Sequence, residues 1–242
     1  MLSAVKIPGL VVLGTDTGVG KTLVAGAIAH HLANSGQRVA VCKPMGTGCV
    51  HRREGLVSED AEFLAHCADS RHSLETICPI RFVEPLAPAI AAERARQSID
   101  WSIIDRAVQA MAADSDVMIV EGIGGLLTPM APKLTFLDVA DWLKLPAIVV
   151  ARPGLGTINH TLLTCLALRS RGVRLLGVVI NRYPPETPPP AEETNPRAIE
   201  RWGKTNVLCL APEVSGPLIP KLPVDVIAAV GSVDWMELIK PS

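Results

Sequence analysis

The chain has 242 residues, 48% hydrophobic and 19% charged, with a net charge of −1, enough for one sizeable core and most economically one domain over 1–242. With 3% aromatic residues and no basic run, it lacks the stacking platforms and phosphate-tracking stripes of nucleic-acid binders. No apolar stretch reaches the roughly 18 residues of a membrane span, so neither nucleic acid nor a membrane is an expected partner.

The segment Met1 to Gly9 carries a single lysine and leads straight into an apolar run, so it is not expected to be a secretory signal. Leu10-Val11-Val12-Leu13 predicts a buried strand over Leu10–Gly14. The next residues, Gly14-Thr15-Asp16-Thr17-Gly18-Val19-Gly20-Lys21-Thr22, form a phosphate-binding loop. Five residues separate Gly14 from Gly20, where the usual pattern has about four. A helix follows over 20–35, with Val24, Ala27 and Ile28 on one face and Gly36 ending it. Strand, loop, Lys-Thr and helix together give the motif a mechanism. Backbone N–H groups and the helix N-terminus cradle phosphate oxygens. Lys21 reaches the β- and γ-phosphates, and the Thr22 hydroxyl binds Mg²⁺.

Arg38–Lys43 predicts a second strand, ending in a cation that opens a Pro/Gly loop. Lys43 at that position suits phosphoryl transfer, which depends on positioning and positive charge. Thr47, between Gly46 and Gly48, offers a small hydroxyl for a polar substrate. Ser58-Glu59-Asp60-Ala61-Glu62 reads as a capped helix start, over 58–68, with acids where the macrodipole favours them. Ile77–Phe82 predicts a third strand, and helices follow over 86–96 and 101–113, the latter capped by Asp100. Val117–Glu121 is an apolar strand ending in a carboxylate and then Gly122-Ile123-Gly124-Gly125. Ligands of parallel sheets bind beyond the carboxyl ends of the strands. Glu121 therefore faces the phosphate loop, either as an oxygen ligand for Mg²⁺ or as a strand-end acid paired to a lysine. A helix over 136–144, strands Ala147–Ala151, Leu175–Asn181 and Val207–Leu210, and a helix over 157–171 complete the pattern. Tyr183 to Pro196 holds six prolines and predicts a surface loop. A weak helix is expected near Ser232–Ile239.

The expected architecture is α/β, with a mostly parallel central sheet of about seven strands flanked by helices. None of the six cysteines forms Cys-x-x-Cys, so they read as buried small hydrophobes of a reducing cytosol. Cys49 and His51 form two parts of a metal set that nothing nearby completes.

The succession Gly-Thr-Asp-Thr-x-Val-Gly-Lys-Thr, Lys-Pro with a Gly/Thr loop, Asp-Ala and Val-Glu-Gly-x-Gly-Gly resembles dethiobiotin synthetase over residues 9 to 213. Leu155-Gly156-Thr157-Ile158-Asn159-His160 and Gly177-Val178-Val179-Ile180-Asn181 are similar to two further stretches of that family, and Gly18 and Arg182 depart from its usual residues. The resemblance implies a P-loop NTPase-like fold in a cytoplasmic homodimer. It implies a ligase that carboxylates 7,8-diaminononanoate with CO₂ and closes a cyclic urea, converting ATP to ADP and phosphate. It implies Mg²⁺ on Thr22, Asp60 and Glu121, and catalysis by Lys21 and Lys43. ATP would lie along Gly18, Val19, Gly20, Lys21, Thr22, Leu23, Asp60, Glu121, Gly122, Ile123 and Gly124, with Asn181, Arg182, Ala211, Pro212 and Glu213 at the base. Thr17 and Thr47 would touch the substrate, and Asn159 would bind its far end across the dimer. A regulatory or partitioning ATPase is the alternative. Such proteins carry a lysine early in the loop, where this chain has Asp16. An amide synthetase for cobyrinic acid would bring a glutamine-hydrolysing domain, for which 242 residues filled by an α/β core leave no room.

Overall fold

The computed structural model describes residues 1–53, 55–184, 186–214 and 222–240. Six strands form one parallel sheet: β1 (Gly9–Gly14), β2 (Val39–Cys42), β3 (Val117–Glu121), β4 (Ala147–Ala151), β5 (Leu175–Tyr183) and β6 (Val207–Pro212), in the order β6-β5-β4-β1-β3-β2. Every residue of β1 to β4 is buried. Strands covered on both faces need no polar alternation, which is why they read as continuous apolar runs.

The helices are α1 (Lys21–Asn34), α2 (Glu59–Cys67), α3 (Pro88–Ala95), α4 (Trp101–Ala113), α5 (Phe136–Leu143), α6 (Thr157–Ser170), α7 (Pro190–Gly203) and α8 (Val224–Gly231), with short turns of helix at Leu74–Ile77 and Trp235–Leu238. Helix α1 is apolar nearly all round because it lies between the sheet, α2 and α8. Gly26 permits the closest of these approaches. A Cβ there would stand 2.4 Å from Phe63 of α2, so the missing side chain lets α2 lie against α1.

The seventh expected strand, Ile77–Phe82, is not part of this sheet. Ile77 ends a short helix, and only Ile80–Arg81 is extended, paired with Met45–Gly46 in a separate two-stranded ladder. Pro79 supplies no N–H for a continuous strand there. The proline-rich loop is also shorter than expected. Helix α7 starts at Pro190 and runs through Pro196. Proline at a first helical position forfeits a hydrogen bond that has no intrahelical partner anyway. Pro196 removes one bond further in, and α7 is held by packing on α6 and β6. Near the C-terminus the expected helix is present as Trp235–Leu238, with Trp235 buried and its indole N–H donating to Val230 O at 2.9 Å. Helix α8 before it was not expected.

The sheet order fixes where a ligand lies. From β1 the chain moves to β2 and back to β3 on one side, then crosses β1 to β4, β5 and β6. The crevice at such a reversal opens at the carboxyl ends of the strands, where the residue after β1 is Thr15 and that after β2 is Lys43.

Candidate active site

Strand register brings the charged residues together. Val12 of β1 pairs with Glu121 of β3, and Cys42 of β2 pairs with Val120, so Lys43 emerges beside Glu121. Lys43 Nζ lies 2.7 Å from Glu121 Oε1, 2.7 Å from Asp60 Oδ2 and 3.3 Å from Gly122 O. Thr22 Oγ1 lies 3.0 Å from Asp60 Oδ1 and 2.8 Å from Glu121 Oε1. Asp60 reaches this cluster from the first turn of α2, where the Ala61 N–H donates to Ser58 Oγ. Both readings of Glu121 therefore describe the same atom group: it pairs with a lysine and it faces the threonine of the phosphate loop.

Burial disfavours the ammonium of Lys43, but Glu121 and Asp60 outweigh it and hold its pKa above the ordinary lysine value. Burial also raises Glu121, helped by the nearby Asp60 charge and opposed by Lys43. Asp60 is pushed up by burial, but Lys43 wins and holds it below the ordinary carboxylate range. Lys21 is lowered to about 8 by burial and by the charge of Lys43, against the pull of Glu121, Asp60 and Asp16. Its Nζ donates to Asp16 O at 3.0 Å and Gly124 O at 2.7 Å.

The phosphate loop depends on Gly20, which has φ 94° and precedes α1. A Cβ at Gly20 would fall 1.9 Å from Asn181 Nδ2. Asn181 itself donates from Nδ2 to Val19 O at 2.9 Å, tying β5 to the loop. Its Oδ1 is buried without a partner, as are Glu121 Oε2 and Thr15 Oγ1. Buried polar atoms normally find partners, so these three atoms mark positions for donors or a cation. The set around Glu121 fits Mg²⁺: two carboxylates and a hydroxyl are hard oxygen donors, and Mg²⁺ usually completes its shell with phosphates and water.

A cleft of about 1060 Å³ spans these groups, and its walls include Thr17, Gly18, Gly20, Lys21, Thr22, Leu23, Lys43, Thr47, Asp60, Glu121, Ile123, Gly124, Asn181 and Arg182. Val19 and Gly122 are not among the wall residues; their carbonyls accept from Asn181 and Lys43. The base end differs from expectation. Ala211 is buried, Glu213 is exposed with its N–H bonded to Tyr183 O, and Val214 is the residue of that segment on the cleft wall. Asn159 lies exposed in the first turn of α6, outside the cleft lining of this chain. Sequence reading missed Arg52, Phe63, Pro85–Ala87 and Thr128–Pro129 on the walls, residues with no motif to mark them. It also used Asp16 only to reject an alternative, whereas Asp16 accepts from Lys21 and from the Thr17 N–H. A smaller cavity of about 330 Å³ lies at the opposite rim, beside Pro8, Pro146 and Arg174, away from these groups.

Residues 8–216 match the AAA domain family. The chain is 41% identical over 204 residues to an ATP-dependent dethiobiotin synthetase BioD of Anaeromyxobacter sp. (strain K), covering 84% of this chain and 89% of that one. It is 44% identical over 181 residues to the protein of the same name from Anaeromyxobacter dehalogenans (strain 2CP-1), covering 75% and 79%. Among solved structures, the septum site-determining protein MinD of Pyrococcus horikoshii, complexed with Mg-ADP, aligns with a TM-score of 0.53 at 16% identity, covering 93% of each chain. That likeness is one of fold.

Proposed function

We infer the roles of the site residues from one premise: the chain belongs to the ATP-dependent dethiobiotin synthetase family. It is a ligase, and its fold is shared with the septum site-determining protein MinD, to which it is only 16% identical. The reaction joins 7,8-diaminononanoate and CO₂ at the expense of ATP. One amine adds to CO₂, losing a proton, and gives a carbamate. A carbamate oxygen takes the γ-phosphoryl group, releasing ADP. The second amine attacks the carbon of the mixed anhydride, expels phosphate and closes the cyclic urea.

Each residue's part follows from its setting. The N–H groups of Gly18 to Leu23 receive phosphate oxygens at the start of α1. Thr22, Asp60 and Glu121 would hold Mg²⁺, which supplies charge neutralisation at the β- and γ-phosphates. Lys21, on the cleft wall, would reach the same phosphates. Lys43 favours its protonated form, so it serves as a fixed positive charge for the carbamate and the transferring phosphoryl group and not as a base. Thr17 and Thr47, both on the cleft wall, would contact the acceptor. Asn181 reads the base edge with its unpartnered Oδ1, beside Arg182 and the Ala211–Glu213 segment that leads to Val214.

The whole chain acts as one domain in this reading, and the working unit is a homodimer. Leu155, Leu163 and Leu166 are 91%, 57% and 63% exposed at and along α6, beside Asn159. A second copy covering them would bring Asn159 to the partner's substrate. Six free cysteines suit a reducing cytoplasm.

The observation that carries the proposal is the convergence of Lys21, Thr22, Lys43, Asp60 and Glu121 at one end of the cleft. The test combines the protein with Mg²⁺, ATP, bicarbonate and 7,8-diaminononanoate and detects dethiobiotin by mass, omitting each component in turn. Product that requires all four supports the assignment. Phosphate release indifferent to the diamine overturns it.

A further inference from the structure

The phosphate loop contains a carboxylate, and a carboxylate works against an anion site. Asp16 stands four residues before the Gly20 that opens α1, and its charge reaches Lys21. One of its oxygens takes the Thr17 N–H at 2.7 Å. The other is bound by Arg152 Nη2 at 2.9 Å, 136 residues away, in the turn between β4 and α6. That turn is itself anchored, because the buried Asn195 of α7 donates to Pro153 O at 2.7 Å. A half-exposed pair of this kind adds little to stability. What it does is geometric and electrostatic: the guanidinium cancels the one negative charge of the loop and fixes the Asp16–Thr17 half of it to a rigid support.

We propose that Arg152 is a positioning residue for phosphoryl transfer, acting through Asp16 to neutralise and orient the front of the phosphate loop. The inference rests on the reading of the loop as the ATP site. It implies an asymmetry that plain loss of a surface contact does not. Removing Arg152 alone leaves an unpaired carboxylate within the phosphate loop. Removing both charges restores neutrality.

The experiment compares wild type, Arg152→Ala, Arg152→Lys and the double variant Asp16→Asn/Arg152→Ala. Calorimetry reads the affinity for a non-hydrolysable ATP analogue with Mg²⁺, and steady-state kinetics read kcat and KM for ATP. Arg152→Ala is expected to weaken nucleotide binding about three- to tenfold, with a defect that shrinks as salt screens the charge. Arg152→Lys is expected to recover part of the loss, and the double variant to bind the analogue within about twofold of wild type. Wild-type affinity in Arg152→Ala, or a double variant no better than the single one, overturns the proposal. Thermal melts of all variants within a few degrees of one another separate this effect from unfolding. A wild-type protein that binds the analogue but makes no dethiobiotin would sink the synthetase assignment while leaving the Arg152–Asp16 coupling measurable.

Discussion

The two ends of the cleft are built differently. At the phosphate end, Lys43 and Glu121 emerge from β2 and β3, Lys21 and Thr22 open α1, and all four are tied to one another, to Asp60 or to loop carbonyls. Lys21, Lys43 and Glu121 are buried. At the other end, Asn181 is the buried polar anchor and Arg182 has φ 58° within β5, where its pairing with β6 is irregular, while Asn159, outside the cleft lining, stands in solvent on α6. Groups that act on charge as it develops must be fixed before the reaction, since a preorganised charge has no reorganisation cost at the transition state. Groups that select a ligand need only complete a surface, and in the proposed homodimer a second copy would supply part of it. In the proposed function, chemistry resides where buried strands end, and selection where the chain leaves them.

This contrast is open to direct attack, beginning with the largest effect. Lys43→Ala should lower kcat by about 10²–10³, and near wild-type turnover would remove Lys43 from the mechanism. The substitution also strands the buried Glu121, at a cost of about 3 kcal/mol or more. Turnover is therefore measured where circular dichroism shows the variant folded. Glu121→Gln should require roughly tenfold more Mg²⁺ for half-maximal rate, read from a metal titration at fixed ATP. An unchanged titration curve would separate Glu121 from the metal. Asn181→Ala should raise KM for ATP by up to about tenfold, the range for one lost hydrogen bond in a buried site, while kcat stays within about twofold. A kcat loss as deep as that of Lys43→Ala would erase the distinction between the two ends. The smallest effect is expected for Asn159→Ala: a few-fold rise in KM for the diamine, with ATP kinetics unchanged. Its companion, Leu163→Glu, should shift the protein toward monomer in light scattering.

Much of the phosphate end was legible because covalent neighbours report on it. Lys21 and Thr22 sit in a contiguous loop motif, and Lys43 and Glu121 end apolar runs that could only be buried parallel strands. Asp60 was different. Its spacing says no more than helix start, and only the resemblance to a family gave it a metal role. Its approach to Thr22 depends on Gly26 admitting α2 to α1, a long-range packing fact with no local signature. The misread segments failed over proline in opposite ways: it was passed over in one and overweighted in the other. Pro79 did break a strand that apolar content suggested, whereas Pro190 started a helix that proline content argued against. In both, position within the element decided the outcome. The pairing of Arg152 with Asp16 could not be read at all, since nothing in either neighbourhood points to the other.

Lys43 leaves the outermost strand of the sheet, β2, while the phosphate loop and Glu121 leave the inner strands β1 and β3. The Lys43 N–H is bonded outward, to Ile77 O at 2.8 Å, and not to another strand of the ladder. The path from there to α2, residues 44–58, carries Thr47 and Arg52 on the cleft wall and includes a small antiparallel hairpin, Val50–Arg52 with Gly55–Val57. In the proposed function this places the acceptor side on the margin of the architecture. Changes to that margin would leave the inner ladder, and with it the proposed nucleotide site, untouched. One ancestral phosphate engine can in this way diverge toward many acceptors, and residues 44–58 are where a directed library should be placed to change which one this enzyme accepts.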